Sequence, residues 1–252
     1  MDLTTSTQPQ IFPQFYMAQR MSQCRDFVVM EEAQVTKAHC RFTLGTKNGL
    51  QVISIPLDKS GGSRKNFNET FLKDFPDWWG KLLTTLELTY RKTRYYDELM
   101  PYLIEWGDSI LPHYKTMTFA DVGYASYTLM ARVLKLTARI HPSTMLVGER
   151  PDNACEWIAQ LVEETDNQGY IQGLKSMDDY FDPEPFEKRN IELFYQKFKV
   201  HYREGKFPMI DPTVSWIDWV FKLGAVRCRT LLFDYLLKDD TVVPWTPLPK
   251  DD

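Results

Sequence analysis

Acidic, amide and basic side chains crowd one short stretch of the chain, and their types suit proton transfer. Glu31 and Glu32 are adjacent, and Gln34, Lys37 and Arg41 follow shortly after them. Neighbouring carboxylates raise each other's pKa and a nearby cation lowers it, so one glutamate could act as a general base near neutral pH. The two cations could hold a phosphate or a carboxylate. Taken alone, the stretch is more typical of a polar strand end with ordinary salt bridges.

Two glutamines precede this stretch in a short apolar segment that contains two prolines. The segment predicts a strand near Gln8–Phe12 that turns into a loop, with Gln8 and Gln10 at the turn. A helix is expected over Phe15–Arg25, and the apolar run Phe27–Met30 predicts a buried strand. In an open parallel sheet, the loop after the first strand and the end of the second lie at one edge. The two glutamines and the two glutamates would then share a crevice.

The rest of the chain alternates strand and helix patterns. Alternating residues 51–57, after turn residues 47–49, predict a hairpin with the segment near 41–44. Helices are expected over 77–103, 119–136, 154–164 and 216–237, the last interrupted near Gly224, and strands over 137–141, 169–173 and 191–195. This order predicts the α/β class, with a mostly parallel sheet, helices on both faces and a helical insertion around 77–136.

Composition favours a single intracellular domain. The 252 residues are 43% hydrophobic, which is enough for one core, so we expect one domain over 1–252 with extended tails at 1–6 and 239–252. No window reaches the roughly 18 apolar residues of a membrane span, and the start lacks the order of a signal peptide, so we expect a cytoplasmic protein that does not bind membranes. The four cysteines form no CxxC pair and are expected to be free thiols.

Charge argues against general attraction to nucleic acid, because the net charge is −4 and the pI is about 5.7. One basic segment departs from this balance and includes Lys188, Lys197, Lys199 and Arg203. It is more typical of a solvated face, but these four could track a nucleic-acid backbone. The loop at 59–65 carries three cations and is likewise either an anion site or merely exposed.

Common catalytic motifs do not appear in the sequence, which lacks the Walker loop and the GxGxxG, GxSxG, HExxH and EF-hand patterns. The sequence therefore predicts no metal site and leaves the cofactor undetermined. Ser215 and Asp218 stand three positions apart at the start of the last helix, where they either cap its N-terminus or face the crevice. Gly173 ends a predicted strand and is a further candidate for substrate binding.

The order of several short motifs resembles the WbqC-like protein family. The resemblance is carried by Gln8-Pro9 with Pro13, Phe27–Val35 with Lys37, Ser54–Leu57, the helix from Trp78 to Tyr96, Tyr170–Gly173, Ile191–Leu193 and Ser215 to Gly224. It spans about residues 8 to 232. Each motif is short, and their shared order carries the specificity.

This resemblance implies a transferase step in making or decorating O-antigen and other surface sugars, with an acyl or aminoacyl group moved from a small-molecule donor to a small-molecule acceptor. In this interpretation Glu31 or Glu32 is the base and the glutamines orient the substrate. The remaining substrate-binding candidates are Gln34, Lys37, Arg41, Gly173, Ser215 and Asp218.

The sequence also departs from the family pattern. Thr7 stands in place of a histidine, Cys40 and Phe42 in place of asparagines that flank the arginine, and the glutamate pair in place of two aspartates. Two alternatives therefore stay open. One is an enzyme that transfers an amino acid or similar group to a DNA base, and the other is a non-catalytic protein that keeps the ligand crevice.

Overall fold

The computed structural model describes residues 1–58, 65–173, 181–197, 213–236 and 242–244, and only the backbone of 234–236. The strands are β1 Leu3–Thr7, β2 Asp26–Val29, β3 Arg41–Thr46, β4 Gly49–Ser54, β5 Arg139–Pro142, β6 Gly169–Gly173, β7 Glu192–Gln196 and β8 Val242–Pro244. The helices are α1 Phe15–Ser22, α2 Phe75–Tyr90, α3 Tyr96–Ile110, α4 Phe119–Leu134, α5 Ala154–Glu164, α6 Glu184–Glu187, α7 Trp216–Leu223 and α8 Ala225–Leu236. Short 3-10 turns cover Phe67–Glu69 and Ser143–Met145.

A six-stranded, mostly parallel sheet organises the fold. Its strand order is β5-β2-β1-β6-β7-β8, and only the last pairing, between β7 and β8, is antiparallel. The predicted fold class is therefore confirmed.

The position of the first strand corrects the sequence-based prediction. We expected a strand near Gln8–Phe12, but the strand that pairs with β2 is Leu3–Thr7, and Gln8–Phe12 form the loop after it. The threonine-rich segment has the β-branched side chains that strands favour, whereas a proline at position 9 offers no N–H to a ladder and Phe12 has a left-handed φ of 41°. Part of the expected tail 1–6 is thus a central strand.

Helices cover both faces of the sheet. The register pairs Thr5 of β1 with Phe27 and the preceding Thr4 with Tyr170. Because adjacent residues of a strand point to opposite faces, the two rings lie on opposite sides of the sheet. Phe27 packs against α4, with 4.9 Å between ring centroids, and Tyr170 stacks on α6 at 5.6 Å.

The predicted hairpin and helical segment are also confirmed. Strands β3 and β4 pair around the turn at residues 47 and 48, and α2, α3 and α4 lie between β4 and β5. The last predicted helix divides at Gly224, whose φ is +81°. None of the helices in the described ranges is long and apolar enough to cross a membrane. The cationic loop predicted at 59–65 lies almost wholly outside the described residues, as does most of the tail 239–252.

Candidate functional site

A polar crevice of about 390 Å³ opens beside the loop that follows β1. Three predicted binding residues line it: Gln10 from this loop, Arg41 from the hairpin and Ser215 from the start of α7. Open α/β sheets bind ligands at this edge, where the parallel strands end. The crevice is therefore the candidate ligand site, and its further polar lining includes Gln14, Tyr16 and His39.

His39 is the titratable crevice residue with a shifted pKa. Burial lowers the pKa of His39, which favours the neutral imidazole at neutral pH. Its Nδ1 lies 2.6 Å from the hydroxyl oxygen of Thr36. A neutral imidazole that borders a ligand cavity can accept a proton, so His39 is a base candidate that the sequence did not suggest.

Packing holds the loop after β1 in place. The N–H of Phe12 donates to the hydroxyl of Ser126 over 2.8 Å. Its ring lies 5.2 Å from the ring of Phe42 on the hairpin and 4.8 Å from Trp106 of α3, measured between centroids. The loop that carries Gln10 is thus tied to both the hairpin and the helical segment.

Ser215 both caps α7 and lines the crevice. Its hydroxyl accepts a hydrogen bond from the N–H of Ile217, and its own N–H donates to the carbonyl of Thr43 over 2.8 Å. The next N–H, of Trp216, donates to the carbonyl of Pro13 over 2.9 Å. The start of α7 therefore joins the hairpin to the loop after β1.

Asp218 lies apart from the crevice and anchors the hairpin instead. It is fully buried, and its carboxylate accepts hydrogen bonds from the N–H of Gly45 at 2.8 Å, from Lys222 at 2.7 Å and from the hydroxyl of Tyr90. Burial and the Asp218 charge raise the pKa of Tyr90, which keeps that phenol a donor. The contacts of Asp218 support a structural role, holding the strand pair that carries Arg41.

A second polar group at the same edge was not predicted, and we call it the Arg20 cluster: Gln19, Arg20, Gly173 and Gln196. The Nε of Arg20 donates to Oε1 of Gln196 over 2.9 Å, and Nε2 of Gln196 donates to Oε1 of Gln19 over 2.8 Å. A Cβ atom at Gly173 would lie 2.6 Å from Nη2 of Arg20, so the candidate Gly173 is placed here. One sequence signal was available, since Arg20 has no acidic residue three or four positions away on its helix.

Tyr16 joins the Arg20 cluster to the crevice. Tyr16 lines the crevice, and its ring lies 5.7 Å below the guanidinium of Arg20. The Tyr16 carbonyl accepts a hydrogen bond of 2.8 Å from Gln196. The two polar groups therefore adjoin through one aromatic side chain.

The two glutamates lie in a turn after β2, which ends at Val29. The hydroxyl of Thr144 donates to Glu31 over 2.5 Å, and the hydroxyl of Ser143 donates to Glu32. Burial, with smaller contributions from the charges of Glu32 and Asp121, raises the pKa of Glu31 despite the Thr144 bond. Neither glutamate lines the crevice in the described part of the chain, and their role as base stays a prediction.

The remaining predicted binding residues lie outside the crevice lining. Gln8 is half-buried, and its carbonyl accepts a hydrogen bond of 3.1 Å from Tyr127. Gln34 and Lys37 are exposed, and Gln34 forms an isolated bridge with Asn66. No three of the described His, Cys, Asp and Glu residues are grouped as metal ligands would be.

The basic segment is only partly described. Lys188 pairs with Glu184 at 2.8 Å on the surface, as expected of a solvated face. Lys197 lies 5.4 Å over the ring of Tyr195. Lys199 and Arg203 lie outside the described residues.

The fold and the crevice define an α/β protein with a candidate ligand site at the carboxyl edge of a mostly parallel sheet. The model of the WbqC-like protein family matches residues 8–230, and the chain belongs to this family. Searches of curated proteins and of solved structures found no match.

Proposed function

We propose that the protein is a transferase that attaches an acyl or aminoacyl group to a sugar or similar small-molecule acceptor in the crevice. The observation that carries the proposal is the convergence of Gln10, Arg41 and Ser215 on one cavity. A volume of about 390 Å³ lies within the range typical of small-molecule sites. Membership of the WbqC-like family supports the same class of function.

In this proposal Arg41 holds a carboxylate or phosphate of the substrate, because its planar guanidinium can donate two parallel hydrogen bonds. Gln10 orients the neutral part of the ligand. The acceptor hydroxyl or amine attacks the acyl carbon of the donor, loses its proton, and displaces the donor's thiol or alcohol as the leaving group. We assign acceptance of the proton to Glu31, Glu32 or His39. Glutamine at either glutamate, or asparagine at His39, removes proton acceptance with little change in shape. The substitution at whichever of these residues is the base should lower kcat by roughly 10²- to 10⁴-fold.

The experiment is a transfer assay with classes of activated donor. Purified protein is incubated with acyl thioesters or aminoacyl esters and with nucleotide sugars, and mass spectrometry detects an acceptor that has gained the acyl mass. Arg41→Lys should raise KM about tenfold with a smaller effect on kcat, because a bidentate donor becomes a point charge. Lys47→Arg, on the exposed turn of the same hairpin, is the control.

Failure of every donor class to give a product would reject the transferase proposal. Wild-type kinetics for Arg41→Lys, with transfer intact, would reject only the role of Arg41.

A second candidate is transfer of an amino acid or similar group to a DNA base. It is favoured by the pair of Tyr195 and Lys197, which flank Gln196 of the Arg20 cluster on β7. An aromatic ring with a cation over one face suits a nucleotide, because a base can stack on the other face and the cation can meet the phosphate. The site would then take its acceptor from a DNA strand.

DNA binding measured against salt concentration tests this candidate. Lys197→Gln should weaken binding and reduce the salt slope by about one unit, whereas Lys73→Gln, at an exposed lysine on the segment before α2, should not. Absence of binding to single- and double-stranded DNA at low salt would exclude it.

A further inference from the structure

Arg20 is a buried cation without an acidic partner in the described ranges. The residue is 9% exposed, and none of the ion pairs among the described residues includes it. Two groups that it influences are neutral phenols, because burial raises the pKa of Tyr127 and raises that of Tyr170 to about 12. A buried charge is costly unless another group compensates it, so an anion is expected at this position.

A second buried donor beside Arg20 lacks an acceptor. Gln19 is fully buried, and within the described part of the chain its Nε2 has no hydrogen-bond partner. Its orientation is determined by the network: Oε1 of Gln196 must accept from Arg20, so Nε2 of Gln196 must donate to Oε1 of Gln19. The Gln196 side chain thus holds both the guanidinium of Arg20 and the amide of Gln19, whose Nε2 has a free donor. Both groups require oxygen acceptors.

Gly173 leaves the space that the guanidinium occupies. Any side chain there would place a Cβ atom 2.6 Å from Nη2 of Arg20. A larger residue would force the guanidinium away from the end of β6. The absence of a side chain therefore keeps the cation at the strand end, next to Tyr16 and the crevice.

We infer that Arg20 and Gln19 form an oxyanion subsite of the crevice, which binds a carboxylate or phosphate of the ligand. The inference rests on the proposed function, since it names an anionic group on the molecule that the crevice holds. It also adds a second anion contact, separate from Arg41. Charge-assisted hydrogen bonds from a guanidinium are among the stronger ones in proteins.

Thermal unfolding with simple anions tests the subsite. Potassium phosphate and potassium acetate are compared with potassium chloride at equal ionic strength. Wild-type protein should gain about 5–10 °C in midpoint when the bound anion is near a hundred times its Kd. A rise with phosphate alone assigns a phosphate ligand, and a rise with acetate assigns a carboxylate.

The variant Arg20→Met should lose the rise. Its own midpoint in chloride is the baseline for the comparison, because the substitution removes a buried charge and also the donor to Oε1 of Gln196. Arg94→Met makes the same change at an exposed arginine and should respond to the anions like wild type. If Arg20→Met does not fold, Gly173→Ala decides, since it keeps the charge and should weaken anion binding at least tenfold.

A wild-type midpoint that ignores both anions would overturn the inference, as would an equal rise in Arg20→Met. Transfer activity in a protein without an anion effect would overturn the subsite and leave the proposed function standing. Anion binding in a protein without transfer activity would support the subsite and count against the proposed function.

Discussion

Glu31 shows how one side chain's surroundings set its chemistry. The residue is 8% exposed and lies near the charges of Glu32 and Asp121. Burial disfavours its charged form first, and the neighbouring carboxylates add to that effect, so its pKa is raised. A carboxyl group with a raised pKa is suited to exchange protons closer to neutral pH than an exposed glutamate.

Replacing Glu31 with glutamine should change how stability depends on pH. Because the folded-state pKa lies above the ordinary value of 4.5, the folded state binds the proton more tightly than the unfolded state does. The stability from this group is complete below pH 4.5 and is lost as pH rises through the raised pKa. Glu31→Gln should therefore gain stability relative to wild type as pH increases, in denaturant titrations between pH 4 and 8.

The same substitution at exposed Glu87 provides the reference for losing a glutamate charge. A Glu31→Gln difference that is flat over this range, or that shrinks as pH rises, would contradict the assigned environment.

At the scale of elements, helix α7 positions much of the crevice. Its first turn is bonded to the hairpin through Ser215, and its second through Lys222, whose amine donates to the carbonyl of Gly45 over 3.0 Å. Asp218 lies between these contacts and joins both elements to α2. The strand that carries Arg41 is thus fixed by the partly buried ion pair of Asp218 and Lys222 as well as by its own ladder.

Removal of the Asp218 charge should loosen this junction. Asp218→Asn leaves Lys222 without its carboxylate and should lower the free energy of unfolding by about 2–4 kcal/mol. Asp77→Asn makes the same chemical change in an exposed pair with Lys81, and should cost less than about 0.5 kcal/mol. An equal loss in the free energy of unfolding for the two variants, measured in urea, would show that the Asp218 junction adds no more stability than an exposed ion pair.

At the scale of the whole molecule, one hydrophobic core connects segments that are distant in sequence. Phe15 of α1 stacks on Trp219 of α7 with 4.5 Å between centroids. The helical segment joins the same core through Trp106 and Phe12. The hairpin enters it through Phe42 and Leu44.

This shared core leads us to expect a single domain that unfolds cooperatively. The described tryptophans lie in α2, α3, α5 and α7, so fluorescence reports on the helical segment and on the sheet layer together. Denaturant curves from fluorescence and from circular dichroism should coincide. Separate midpoints would indicate that the helical segment is an independent unit, and the single-domain prediction would be wrong.

The sequence by itself determined the types and order of most elements. Periodicity and turn residues are local properties, so they predicted the hairpin at residues 41–57, the helix Ala154–Glu164 and the break at Gly224. Shared motif order was sufficient to suggest the family that the family model then matched. The first strand was misplaced because Thr4 and Thr5 are polar and were interpreted as part of a tail, although both are buried in the sheet.

Only the tertiary structure decided which side chains meet. Arg20 and Gln196 are 176 positions apart, and Gly45 and Asp218 are 173 apart, so no local pattern records either contact. Arg20 belongs to a helix without acidic residues, but its lack of an acidic partner among the described residues also depends on what packs around it in space. Burial and missing counter-charges are properties of the packed molecule, and for that reason the sequence pointed to Glu31 and Arg41 while the Arg20 cluster emerged from the fold.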